Sequence, residues 1–114
     1  MLIDVSIIIV NYNTINLTKQ CLDSIFEHTK DITLQIIVVD NNSTDDSVKI
    51  LGNLYSNIEI IISDNCSIYP EVKKTAEEFV AKDSRIKYYR QDSNIGINLN
   101  FKFVLEKSSG EYFM

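Results

Sequence analysis

Three stretches of this chain are built alike: a run of β-branched residues that stops at a polar cluster. "VSIIIVNYN" begins at Val5, "IIVVDNNSTDDS" at Ile36 and "IIISDNCSIYPE" at Ile60. A run without polar alternation suits a strand buried on both faces, and such strands belong to parallel sheets covered by helices. The segments between them have helical spacing. After the first run, Leu17, Cys21, Leu22 and Ile25 share one face of a helix that Thr14 or Asn16 can cap. After the second, Val48, Leu51 and Leu54 form an inner face, with Ser43 or Thr44 as the cap. After the third, Pro70 opens a helix with Val72, Ala76, Phe79 and Val80 on one stripe. "RIKYY" predicts a less buried strand, residues 98–107 predict a fourth helix with Gly110 beyond its end, and "EYFM" begins a further strand. Strands alternating with helices imply right-handed βαβ crossovers, hence an α/β fold: three layers, doubly wound, around a mostly parallel sheet.

With 114 residues the chain can bury one core. We expect residues 1–114 to form a single domain, incomplete by itself. An apolar content of 45% excludes disorder, and a net charge of −5 argues against a basic, polyanion-binding face, so no nucleic-acid partner is expected. No apolar run approaches the roughly 20 residues of a membrane span, and the start lacks a signal peptide's pattern, so the expected location is cytoplasmic. Cys21 and Cys66 are too few and too far apart for a zinc framework, and His28 stands alone, suited to a helix C-terminus. Cys21 reads as a small hydrophobe on a helix face.

Open parallel sheets bind ligands at the carboxyl ends of their strands, where strand order reverses. Tyr12 offers a flat face for a base or sugar, and Asp40 a carboxylate that accepts from an imide or ribose hydroxyl. Asn13, Asn41, Asn42, Ser43 and Thr44 fit equally well as turn and capping residues. Asp45 and Asp46 read as structural acids in the first turn of a helix, favoured there by the macrodipole.

"VSIIIVNYN", "LQIIVVDNNSTDDS" and "NIGINLNFKFVLEKSSGEYF", in this order and spacing, resemble family 2 glycosyltransferases of the GT-A fold, specifically their amino-terminal nucleotide-binding half. The resemblance implies a nucleoside-diphosphate sugar as partner. It implies that Val10, Asn11, Tyr12 and Asn13 wall the nucleotide pocket, that Asp40 hydrogen-bonds the base, that Asn42 belongs to the nucleotide site, and that Asn94 and Gly96 lie near nucleotide or sugar. The chain departs from the family at Phe101-Lys102, where many members carry an Arg-Asn pair. Intact relatives are expected to use a divalent metal, magnesium or manganese, held by an Asp-x-Asp motif, with a later carboxylate as base. Neither motif occurs through Met114, so we expect no firmly bound metal, no catalytic residue here and no activity from this piece alone. The alternative is a non-catalytic α/β module for binding or oligomerisation, with a homodimer formed through an exposed sheet edge.

The second and third runs also resemble each other. At an offset of 24 residues, Asp40 aligns with Asp64, Ile36 with Ile60, Ile37 with Ile61, Asn41 with Asn65, Ser43 with Ser67, Val48 with Val72 and Lys49 with Lys73. The expectation is a partial internal repeat, 34–50 against 58–74, supplying one βα unit beyond the family pattern. A tandem copy, a join between related genes, and plain compositional likeness of buried strands all fit it. Only one of the two aspartates can sit beside the first strand, and the spacing favours Asp40.

Overall fold

The computed structural model describes residues 3–64, 70–90 and 112–113. Strand β1 (Val5–Asn11) is followed by α1 (Ile15–His28), β2 (Leu34–Asp40), α2 (Ser47–Leu54), β3 (Glu59–Asp64), α3 (Pro70–Lys82), β4 (Ile86–Arg90) and β5 (Tyr112–Phe113). The strands form one sheet in the order β4-β3-β2-β1-β5, and every pairing is parallel. The chain is therefore α/β, as the alternating runs predict. Order reverses between β1 and β5, which places a topological switch point at the carboxyl end of β1.

Crossovers that step outward from β1 to β4 with one hand put their helices on a single face. α1, α2 and α3 do share a face, where Leu22, Leu51, Ile60 and Val38 are wholly buried. Each such side chain contributes about 1.5–3 kcal/mol by leaving water. The opposite face holds a smaller cluster of Ile8, Ile37, Val39 and Ile61, with Tyr89 against it. The predicted helix over 98–107, on which the second helical layer depends, lies outside the described residues. Arg85 closes the base of the sheet. Its guanidinium forks onto Asp83 at 2.7 and 3.1 Å and donates to the carbonyls of Gly52 (2.7 Å) and Tyr55, satisfying the C-terminal turn of α2. The Arg85 hydrogen bonds hold the Asp83 carboxyl below its ordinary range.

Several local expectations are corrected. The buried positions of α1 are Thr18 and Leu22, with Ile15, Ile25 and Phe26 packed beside them, while Leu17 and Cys21 face solvent. Asn16 lies inside this helix, and Thr14, at its N-cap, makes no capping bond through its side chain. Leu54 of α2 is exposed, and Tyr55 takes the buried place. Tyr55 stacks near Phe26 at 6.0 Å between ring centroids and donates its hydroxyl to Asp23 at 2.6 Å. Burial and that carboxylate push the Tyr55 phenol up to about 12. Ser43 and Thr44 do not cap α2, which starts at Ser47 after a left-handed Asp46 (φ 61°). Pro70 opens α3 and His28 ends α1, both as predicted.

Candidate functional site at the strand carboxyl ends

The register pairs Asn11 directly with Asp40, so the last residues of β1 and β2 lie side by side. Asn11 is 0% exposed and Asp40 1%. A buried amide must satisfy two donors and two acceptors, and Asn11 satisfies all four. Its Nδ2 donates to Asp40 Oδ1 (2.8 Å) and to Ser43 Oγ (3.2 Å), and its Oδ1 accepts from Thr18 Oγ1 (2.7 Å) and Thr14 Oγ1 (3.2 Å). Asp40 also accepts from the Ser43 hydroxyl (2.6 Å) and the Ser43 backbone N–H (2.9 Å). Three of the roughly four acceptor positions of a carboxylate are thereby used. One remains on Oδ2.

Around this pin the chain makes two left-handed turns, at Asn13 (φ 51°) and Asn42 (φ 62°). Asparagine tolerates that region better than other side chains, which accounts for the residue type at both positions. Asn13 Oδ1 accepts from the backbone N–H of Thr44 at 2.7 Å, and Asn13 N–H donates to Ser43 Oγ at 3.0 Å. The β1 and β2 loops are thus fastened to each other. Two apolar side chains stand free of the pin at the end of β1: Val10, 45% exposed, and Tyr12, 58% exposed.

Asp45 sits between two helix starts. It accepts from Ile15 N–H of α1 (3.3 Å), from Ser47 N–H of α2 (3.1 Å) and from the Ser47 hydroxyl. Burial opposes its charge, but the Ser47 and Ile15 bonds outweigh this and hold the carboxyl below its ordinary range. The structural reading of Asp45 stands with a different mechanism, since it precedes α2 and serves both helices. No acid lies in the first turn of α2.

Asp64 lies one strand further out. β3 is staggered against β2, with Asp40 opposite Ile62, so Asp64 reaches beyond Asp40 to the level of Asn42. It is 1% exposed; Oδ1 accepts from Asn42 Nδ2 (3.3 Å), Oδ2 accepts from Tyr88 OH (2.8 Å), and Arg90 Nε lies 3.8 Å away. Burial and the Asp64 carboxylate push the Tyr88 phenol up to about 12.

Of the residues proposed from the sequence, the structure gathers Asn11, Asn13 and Asp40 into one polar network through Ser43, turns the Asn42 amide to Asp64, and leaves Val10 and Tyr12 exposed beside them. Asn94 and Gly96 lie outside the described residues. Sequence reasoning missed Ser43 as the hub and Thr18 as a buried anchor. A polar residue in register with Ile15, Leu22 and Ile25 on one helical stripe was the available signal for Thr18. Among the described residues, no three of His, Cys, Asp or Glu come together to hold a metal ion. None of the described helices is long and apolar enough to cross a membrane.

A parallel sheet whose switch point carries a polar strand end and an exposed aromatic defines an open α/β protein with a crevice of the sort where such sheets bind ligands. The sequence matches glycosyl transferase family 2 over residues 6–55 and again over 50–114. The chain belongs to that family. No curated protein matches it.

Proposed function

We propose that the crevice at the carboxyl ends of β1 and β2 binds the nucleoside diphosphate of a sugar donor, in the service of sugar transfer to an acceptor hydroxyl. The observation that carries this is Tyr12, exposed at the switch point while its neighbours Asn11 and Asp40 are locked beneath it. An exposed ring on a rigid support presents a stacking face with little ordering left to do on binding. Val10 extends the wall, and Asn13 fixes its path. Asp40 acts chiefly by holding Asn11 and Ser43 in place, with one carboxylate position that no described residue fills turned to the base. Asn42 continues the rim, and Asn94 and Gly96 belong to the site by family resemblance. Members of the family generally use a divalent metal; the described residues show no place for it, and no step is routed through one.

Calorimetric titration of uridine and guanosine diphosphate tests the reading. Tyr12→Ala is expected to weaken binding about fivefold to tenfold, the worth of one aromatic contact, and to leave the fold intact. Asp40→Ala is expected to weaken binding and Asp64→Ala to leave it unchanged; the reverse pattern moves the site to β3. A chain that shows no heat and no chemical-shift change with millimolar nucleotide does not have this function. β4 ends the described sheet on one side, and pairing of that edge in a homodimer is checked by sedimentation.

A further inference from the structure

The likeness between the second and third runs extends from sequence into three dimensions. β2 ends at Asp40 and β3 at Asp64, 24 residues later; α2 opens at Ser47 and α3 at Pro70, 23 residues later. Each aspartate is wholly buried and accepts from an asparagine amide supplied by the preceding unit, Asn11 for Asp40 and Asn42 for Asp64. The two family matches overlap at residues 50–55, at the end of the first unit.

We propose that the two βα units are interchangeable in the place beside β1, so that β3 can stand where β2 stands and Asp64 can take the part of Asp40. The fit can be checked position by position against the β1–β2 register. Ile7, Ile8 and Asn11 pair with Ile36, Ile37 and Asp40, and the same residue types recur at Ile60, Ile61 and Asp64. Val5, opposite Leu34, would meet Ile58, of equal size. Ser6 now donates its hydroxyl to Gln35 Oε1 at 2.7 Å, and Glu59 offers a carboxylate oxygen at the corresponding place. Val38 becomes Ile62 on the helical face, and Val39 becomes Ser63, which is already buried in its own strand. The one charge added at these positions is Glu59, at the half-buried place of Gln35; the wholly buried positions gain none. On the helices, Val48 is replaced by Val72, the wholly buried Leu51 by the smaller Thr75, and Tyr55 by Phe79, which keeps a ring for Phe26 while giving up the hydroxyl bond to Asp23.

In the full chain β2 holds the place because only Thr29 to Thr33 separate it from α1, and a short connection favours the nearer strand. Removing that unit should hand the place to β3. The inference concerns the sheet alone and does not depend on the nucleotide reading.

The experiment compares the full chain with one lacking residues 34–57, which joins Thr33 to Ile58 in the matching frame. The shortened chain is expected to unfold in one cooperative transition. A double-mutant cycle with Asn11→Ala and Asp64→Ala is then expected to show coupling on the order of tenfold in its folding equilibrium. The same cycle in the full chain is expected to show none, since β2 separates the two residues. A second variant, lacking residues 58–81, keeps the first unit and is expected to fold as well. The proposal is overturned if the chain lacking 34–57 does not fold, whether or not the second variant does. It is equally overturned if that chain folds without Asn11–Asp64 coupling.

Discussion

The ends of β2 and β3 carry the same acid at the same depth, yet they are held by different kinds of partner. Asp40 is gripped by Asn11, which is wholly buried and spends all four hydrogen-bonding positions within the protein. Asp64 is met by Tyr88 and Arg90 from the outermost described strand on its side, and the Arg90 side chain is 40% exposed. Equal burial of two carboxylates therefore does not mean equal cost when they are removed. The cost depends on whether the partners left behind can turn to water.

Truncating the two acids exposes that difference most directly. Asp40→Ala strands a buried amide donor and two groups of Ser43, and is expected to cost about 3 kcal/mol of folding stability. Asp64→Ala leaves an arginine and the half-buried Asn42 amide, which rehydrate, and a phenol near the edge, and is expected to cost about 1 kcal/mol. Denaturant unfolding of both variants measures the gap. Equal losses would break the comparison, because they would mean that Asp64 is as tightly enclosed by its partners as Asp40.

Ser43→Ala is the next largest effect and sharpens the same contrast from the partner's side. The hydroxyl donates to Asp40 and accepts from Asn11 and Asn13, so three groups lose one bond each. Ser43 is only half-buried, and water can replace part of what is lost, which limits the expected cost to about 1–2 kcal/mol. A loss as large as that of Asp40→Ala would show that water does not reach the loop.

The parts of this region that could be read from sequence are those governed by local pattern. Uninterrupted β-branched runs announced parallel strands, and Pro70 marked the first turn of α3 where its missing N–H costs nothing. The start of α2 could not be read that way. Ser43 has the side chain of a cap, but Asp40, three residues earlier, captures both its N–H and its hydroxyl, and the helix begins four residues later at Ser47. Thr18 was misjudged for a similar reason. Its burial is tolerable only because Asn11, on another element, accepts its hydroxyl. Leu17 and Cys21 are apolar by type yet lie on the exposed face of α1, outside both core clusters of the described residues. The Asp64–Tyr88 bond follows from pairing between β3 and β4, which no local pattern encodes. Asp40 was legible as a strand-end acid, whereas its burial depended on a partner 29 residues away.

The smallest effect concerns pH and again separates the two regions. Tyr55 and Tyr88 each have a phenol pushed up to about 12, by burial first and then by a neighbouring carboxylate, Asp23 and Asp64 respectively. A phenol of an unfolded chain ionises near 10. Because the folded state resists ionisation, each tyrosine contributes stability that is fully present below about pH 10 and is lost as pH rises towards 12. Tyr88→Phe removes the whole share of Tyr88, from burial and from Asp64 together. The variant is expected to be slightly less stable than the parent at neutral pH, through loss of one hydrogen bond, and to lose stability less steeply between pH 10 and 12. Tyr55→Phe is expected to flatten the same limb through the α1–α2 contact, leaving the β3 end untouched. Unfolding midpoints measured across that range check both. If Tyr88→Phe leaves the alkaline slope unchanged, the phenol is neither enclosed nor held by Asp64, and the contrast between the partners of the two strand ends loses its Tyr88 half.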